Sequence, residues 1–211
     1  MTLYSFFRSS AAYRVRSALA LKGIAFDIKP VHLSRGGGEQ HSCEFRTVNP
    51  QGRVPALMLP NGDVLTQSLA IIDYLEQVHP EPALMPRDAI ARARVNAAAM
   101  LIACDIHPLN NTSSLNYLRG ELGQAENAIA AWYGFWIRQG FCALETMVRP
   151  GPYAFGAQPT LADICLVPQV YNARRFKVPL DDFPQLVAID AACQALPAFA
   201  KAQPERQPDA E

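Results

Sequence analysis

Arg8-Ser9-Ser10 has the residue types and the setting to do chemistry. The triplet falls between a short apolar run, Leu3-Tyr4-Ser5-Phe6, and a stretch in which Val15, Ala18 and Leu19 share one helical face, with Arg14, Arg16 and Ser17 on the others. Two hydroxyls and a guanidinium therefore stand where a strand meets a helix N-terminus. The first N–H groups of a helix have no partner within it, and the helix dipole adds positive potential there. A serine hydroxyl at such a place can donate a hydrogen bond to a bound anion, or it can serve only as the N-cap. Gln67-Ser68 repeats the arrangement before a second helix, with Leu69, Ile72 and Leu75 in register. Ser68 reads as its N-cap, and that helix start suits a carboxylate or, again, capping alone. Between the two, Val54-Pro55 opens an apolar run; a cis bond there turns the Val54 backbone outward, toward the backbone of a ligand.

These residues need elements to hold them. Gly23 after Lys22 ends the first helix. Ile24, Phe26 and Ile28 alternate with Ala25, Asp27 and Lys29, which predicts a half-buried strand parallel to the first through a right-handed crossover. Gly36-Gly37-Gly38 reads as a loop, since it follows no clear strand and lacks the Gly-Lys-Ser/Thr ending of a phosphate cradle. A short helix is predicted over 39–47, a strand over 56–59, an Asn61-Gly62 hairpin turn and a return strand, Val64-Leu65-Thr66. Prolines 80, 82 and 86 form a rigid linker. The expected division is therefore an α/β domain over 1–80, a linker over 81–87 and an all-α domain over 88–211. In the second domain the pattern predicts a long helix from Ala91 to about Leu118, interrupted at His107-Pro108. Another runs from Gln124 to Val148 and is broken by Arg149-Pro150-Gly151-Pro152. Thr160-Leu161-Ala162-Asp163 is a capping box that opens a buried helix.

Composition narrows the partners. Half of the 211 residues are hydrophobic and the formal net charge is zero, so a packed protein is expected and a nucleic-acid partner is not. No apolar run reaches the roughly 18 residues that span a bilayer, and no basic-then-apolar leader stands at the N-terminus, so a cytoplasmic location is expected. The five cysteines, Cys43, Cys104, Cys142, Cys165 and Cys193, are odd in number and contain no Cys-x-x-Cys pair, which argues against a disulfide framework. The last four lie in apolar helical stretches and are expected to be buried, inert thiols. His32, His41, His79 and His107 show no metal-ligand spacing, and no metal site is expected.

Taken together, the βαβ-α-ββα order, the proline linker and the helical remainder resemble a cytosolic glutathione transferase, with Val54-Pro55 before a strand, Gln67-Ser68 at the third helix and Thr160-Leu161-Ala162-Asp163 later. The run from Arg8 to Gly23 is similar to the zeta class, which includes the maleylacetoacetate and maleylpyruvate isomerases. Asp105 to Asn111 and Ala173-Arg174-Arg175-Phe176 look closest to the maleylpyruvate branch. The resemblance implies a thioredoxin-like N-terminal domain followed by an all-helical one, a homodimer, and glutathione as cofactor. The implied activity is cis-trans isomerisation of a maleyl diketo acid in aromatic catabolism, with glutathione conjugation of small electrophiles as the alternative. It implies that Ser9 bonds the glutathione sulfur, with Ser10 adding positive potential. Val54 would pair with the cysteinyl backbone, Gln67 and Ser68 would hold the γ-glutamyl carboxylate, and Gln40 would reach the glycyl end. His107 and Asn111 would face the same cofactor, and Arg8 and Arg175 would read the substrate carboxylates. One position departs from the class pattern: Ala11 stands where a cysteine is usual, which counts against a mechanism that needs a protein thiol there and leaves one that rests on glutathione's own thiol untouched.

Overall fold

The computed structural model describes residues 1–149 and 151–211. They form two units, Met1–Ala83 with Ala195–Glu211, and Leu84–Gln194. In the first unit the order is β1 (Thr2–Ser5), α1 (Ser10–Leu21), β2 (Asp27–Pro30), α2 (Cys43–Val48), β3 (Ala56–Met58), β4 (Val64–Thr66) and α3 (Ser68–Val78). The sheet order is β2-β1-β3-β4, with β1 parallel to β2 and the other pairs antiparallel. Tyr4, Phe6, Phe7, Val31, Phe45, Val54 and Ala56 build a core cluster around it. The Asn61-Gly62 turn closes the β3–β4 hairpin, with the Leu59 N–H on the Asp63 carbonyl and Gly62 at φ 93°.

Strand β2 starts at Asp27 rather than at Ile24, because the end of α1 takes up the intervening residues. Gly23 adopts φ 64°, its N–H bonds the Ala20 carbonyl, and the Ile24 N–H bonds the Leu19 carbonyl. That is a Schellman closure, which consumes Ile24 before a strand can begin. A second difference concerns α1 itself. Arg14 is 2% exposed, Arg16 1% and Ser17 0%, although their spacing set them off the apolar face. The helix is covered by both α3 and a short later helix, so it buries polar faces as well as its apolar one.

The second unit holds α4 (Ala89–Met100), a π-helical stretch Leu101–Ile106, α5 (His107–Asn110), α6 (Thr112–Gly120), α7 (Glu126–Met147), α8 (Leu161–Arg175) and α9 (Pro184–Gln194). The predicted long helix over 91–118 is thus three helices and a wide turn. Pro108 has no N–H and its ring crowds the carbonyl four residues back, at Cys104 within the π stretch. Helix α7 ends at Met147, and Pro150 of the predicted breaker lies outside the described residues. Cys165 and Cys193 are buried as expected, but Cys104 and Cys142 are exposed. Cys142 sits one residue past Phe141 on α7, about 100° around the helix from the buried Ile137–Phe141–Leu144 face.

Residues 195–211 were expected with the helical domain and instead pack with the first unit. Here α10 (Pro197–Ala202) lies against α1. It follows an apolar stretch that resembles the preceding helices in composition, and nothing in that composition distinguishes which core it joins.

The capping box that starts α8 is present. Asp163 is fully buried; it accepts hydrogen bonds from the Thr160 N–H (2.7 Å), the Thr160 hydroxyl (2.8 Å) and the Ala154 N–H (2.7 Å). Burial pushes its carboxyl above the ordinary carboxylate range, and these hydrogen bonds pull the other way. Asp163→Ala strands two buried backbone donors, so it should destabilise the protein by about 2–4 kcal/mol. Thr160→Ala removes less and should cost about 0.5–2 kcal/mol. Denaturant unfolding midpoints of the two variants check the order.

Candidate functional site

Ser9 is the N-cap of α1. Its backbone is extended (φ −69°, ψ 117°), and its Oγ accepts from the Ala12 N–H at 3.2 Å. The two readings left open by the sequence are therefore compatible. A hydroxyl has one proton and two lone pairs, and the cap uses a lone pair, so the proton remains to be donated outward. Ser10 is the first residue of the helix and is buried. Arg8 is half-buried, with its guanidinium 4.7 Å from the Phe7 ring centroid and 5.8 Å from that of Phe6. Stacking occupies the face of the guanidinium and leaves its N–H edge to donate.

At the second helix start the N-cap is Gln67, not Ser68 as expected. Helix α3 follows β4 with a single residue between them, and Gln67 takes up the turn in the left-handed region (φ 66°, ψ 116°). A non-glycine residue there costs on the order of 1–3 kcal/mol, and such strain clusters at active sites, ligand clamps and switch regions. Ser68 is then already helical, and its Oγ accepts from Nη1 of Arg14 at 3.3 Å. The helical spacing of Arg14 sets it off the apolar face and does not announce it as a site residue, yet it is buried. The bond ties α1 to the N-terminus of α3 and sets a buried guanidinium beside that end. Ser68, like Ser9, keeps a proton to donate.

A polar edge continues from Gln67. Its Nε2 donates to Oε1 of Gln51 at 2.9 Å, a second residue that the sequence did not single out. The neighbouring Gly52 has φ 61°, and a Cβ there would lie 2.9 Å from the Gln40 carbonyl oxygen, so this turn and Gln40 can approach only through glycine. Gln40 donates from Nε2 to the Leu33 carbonyl at 3.2 Å, while its Oε1 is buried with no hydrogen bond among the described residues. Val54 lies two residues before β3, outside its ladder, and the Val54–Pro55 bond is cis. The first unit thus gathers Arg8, Ser9 and Ser10 at one helix start, and Gln67, Ser68 and Gln40 along an edge that begins at the other.

The remaining candidates belong to the second unit. Nδ2 of Asn111 is 3.4 Å from Nε2 of His107, and Asn111 also caps α6 by accepting from the Ser113 N–H at 3.0 Å. Arg175 is exposed at the end of α8, over the Phe176 ring, and that ring stacks on Tyr133 with centroids 3.9 Å apart. Burial pushes the Tyr133 hydroxyl well above its usual range, and the Arg175 charge opposes this. The two arginines at this helix end differ in role: Arg174 is paired with the buried Asp190 of α9. Among the described residues no His/Cys/Asp/Glu cluster could hold a metal ion.

The chain matches two family models, the glutathione S-transferase N-terminal domain over residues 8–78 and the C-terminal domain over 121–198. It is similar to the maleylacetoacetate isomerase of Pseudomonas aeruginosa, 47% identical over 209 residues that cover 99% of this chain and 98% of the other. A solved holo structure of a maleyl pyruvate isomerase, described as a bacterial zeta-class glutathione-S-transferase, has a TM-score of 0.96 at 49% identity and full coverage of both chains. A maleylacetoacetate isomerase from Anaeromyxobacter dehalogenans with glutathione in its active site has a TM-score of 0.89 at 44% identity, covering all of this chain and 97% of that one.

The cap geometry of Ser9 carries a stability consequence. Ser9→Ala should cost about 0.5–2 kcal/mol, and Ser9→Asp, which caps as well as serine, should recover it. Denaturant midpoints of the three proteins give the comparison.

Proposed function

The chain belongs to the glutathione S-transferase family, and we propose that it is a glutathione-dependent isomerase that converts the cis double bond of a maleyl diketo acid, maleylpyruvate or maleylacetoacetate, to the trans bond of the fumaryl form. The single observation that carries the reading is the hydrogen bond from Arg14 of α1 to Ser68 at the start of α3, in the same unit whose α1 start is capped by Ser9. Each start offers backbone N–H groups and one hydroxyl proton to a negative charge.

The donor set suits glutathione, a short peptide with a thiol and two carboxylates. The buried Oε1 of Gln40 suits an N–H donor, and the N-termini of α1 and α3 suit two anionic groups. Ser9 would take the sulfur, with Ser10 and the start of α1 adding positive potential. Ser68 and Gln67 would take the γ-glutamyl carboxylate, Val54 the cysteinyl backbone and Gln40 the glycyl end. His107 and Asn111 are proposed as further cofactor contacts. When bound, glutathione supplies a sulfur nucleophile that adds reversibly to the double bond, so that the former double bond can rotate before it re-forms.

Of this chain's residues, Ser9 has the central task, which is to hold that sulfur unprotonated. An ordinary thiol titrates near ~8.5, and lowering this by about two units requires roughly 2.7 kcal/mol of preference for thiolate. A hydrogen bond to a charged partner contributes about 1.5–3 kcal/mol, and a helix N-terminus adds about 0.3–1 kcal/mol. Together they reach the required order. Arg8 and Arg175 are proposed to receive the substrate carboxylates, since the guanidinium fork matches a carboxylate and stays charged. The reading extends to a cytoplasmic homodimer. Zero formal net charge speaks against a nucleic-acid partner, and no helix among the described residues is long and apolar enough to cross a membrane.

Assaying both maleyl acids with and without glutathione tests the function. Fumaryl product should form from at least one acid and only when glutathione is present; turnover without it, or none with it, overturns the reading. Arg175→Met should lower kcat/KM for the maleyl acid by about tenfold or more, the loss of a charged hydrogen bond. Conjugation of an uncharged aryl halide should hardly change. Equal losses on both substrates would assign Arg175 to the fold or to glutathione binding.

A further inference from the structure

The loop that delivers Arg8 and Ser9 is held by two side chains from outside it, one on α1 and one near the C-terminal end of the sequence. Arg16, two turns into α1 and 1% exposed, spreads its guanidinium over four acceptors. Nη2 donates to the Phe7 carbonyl at 2.9 Å, Nη1 to the Ser5 hydroxyl at 3.0 Å and the Phe6 carbonyl at 3.4 Å, and Nε to the Ala202 carbonyl at 3.1 Å. From the other side of the same residue, the Phe7 N–H donates to Oδ2 of Asp209 at 2.9 Å. The N–H and the carbonyl of Phe7 are thus both fixed, immediately before Arg8, by side chains 202 and 9 positions away. The segment carrying Asp209 is itself anchored. Nε2 of Gln207 donates to the carbonyls of Lys201 and Gln203. Oε1 of Glu211 meets Nη2 of Arg35 at 2.7 Å and Nε2 of His32 at 3.1 Å. Nδ1 of His32 accepts from the Arg35 N–H at 2.8 Å, so Nε2 carries the proton toward Glu211.

We propose that Arg16 and Asp209 are positioning residues for the sulfur site: they clamp the Phe7 backbone and so fix the direction in which Arg8 and Ser9 leave β1. The inference rests on the reading of Ser9 as the donor to the glutathione sulfur. Two features favour a positioning role over simple packing. Asp209 is half-buried and spends one oxygen on a single backbone N–H, while its Oδ1 is buried with no hydrogen bond among the described residues. Such an arrangement is a poor stabiliser, and local conflicts of this kind gather at functional sites. Both clamps also converge on one residue, at the last position before the chain delivers its cation and its hydroxyl. A hydrogen bond from Ser9 to sulfur depends on distance and angle, so slack in the loop weakens it before it weakens the grip on the cofactor's carboxylates.

The test is titration of the thiolate absorbance of glutathione bound to the full-length protein, with calorimetric glutathione affinity and thermal melts recorded in parallel. Asp209→Ala should lower the thiolate fraction at neutral pH by about fivefold and lower kcat with it, with glutathione Kd changed less than twofold. Asp209→Asn keeps an oxygen for the Phe7 N–H and should titrate like the unmodified protein. Arg16→Lys keeps the charge but not the fork; it should shift the titration in the same direction as Asp209→Ala, and it serves as the probe if the alanine variant does not fold. Ser9→Ala in the same titration separates the two layers of the argument. If Ser9→Ala shifts the titration while Asp209→Ala and Arg16→Lys leave it unchanged, the clamp is overturned and the sulfur site stands. If Asp209→Asn behaves as Asp209→Ala, the clamp is overturned as well. If Ser9→Ala itself changes nothing, the sulfur-site reading falls and takes this proposal with it.

Discussion

The start of α1 is the constraint on which the rest of the first unit depends. A helix presents four N–H groups without internal partners, and burying such an end without satisfying them is costly. Here one of them is satisfied by Ser9 at 3.2 Å, through a lone pair and not through the proton. The same residue therefore closes the helix and keeps a donor facing outward. Had an aspartate stood there, the cap would be as good and the donor would be gone; had alanine stood there, both would be gone. The sheet, the Schellman closure at Gly23 and the packing of α3 and α10 on α1 serve to hold that start in place.

Buried arginines do much of the holding. A guanidinium is expensive to desolvate, and acceptors placed around it offset part of that cost. Arg16 meets backbone carbonyls of two loop residues and of α10, and Arg14 meets the hydroxyl at the start of α3. Hydrophobic residues of similar volume could fill the same space, but they could not specify where a carbonyl or a hydroxyl points. The positive charge left near two helix N-termini also suits a cofactor whose carboxylates and thiolate are anionic.

Much of this was legible in the sequence because it is local. The serines at the strand-helix junction, the Asn61-Gly62 turn, the Thr160–Asp163 box and the β3–β4 hairpin all follow from neighbouring residues. What the sequence did not reveal is long-range. Arg14 and Arg16 sit at helical spacing that looks solvent-facing until α3 and α10 cover it. Ser68 looked like a cap because serine usually caps, yet the one-residue connection from β4 forced Gln67 into the left-handed region and moved the helix start by one. Residues 195–211 join a core more than a hundred positions away. Cys104 and Cys142 were misplaced for a related reason, since apolar neighbours along a helix do not fix which face a residue takes. The pairing of Gln51 with Gln67 depends on two turns meeting, and no local pattern announces it.

The central claim is that glutathione acts as a returned cofactor held by Ser9, and not as a consumed substrate. The most direct measurement is turnover of the maleyl acid in large excess over glutathione, counting free thiol and fumaryl product together. The account predicts many equivalents of product for each glutathione, with the thiol titre unchanged at the end. Loss of one thiol for each molecule of acid consumed would contradict it and make the chain a conjugating transferase.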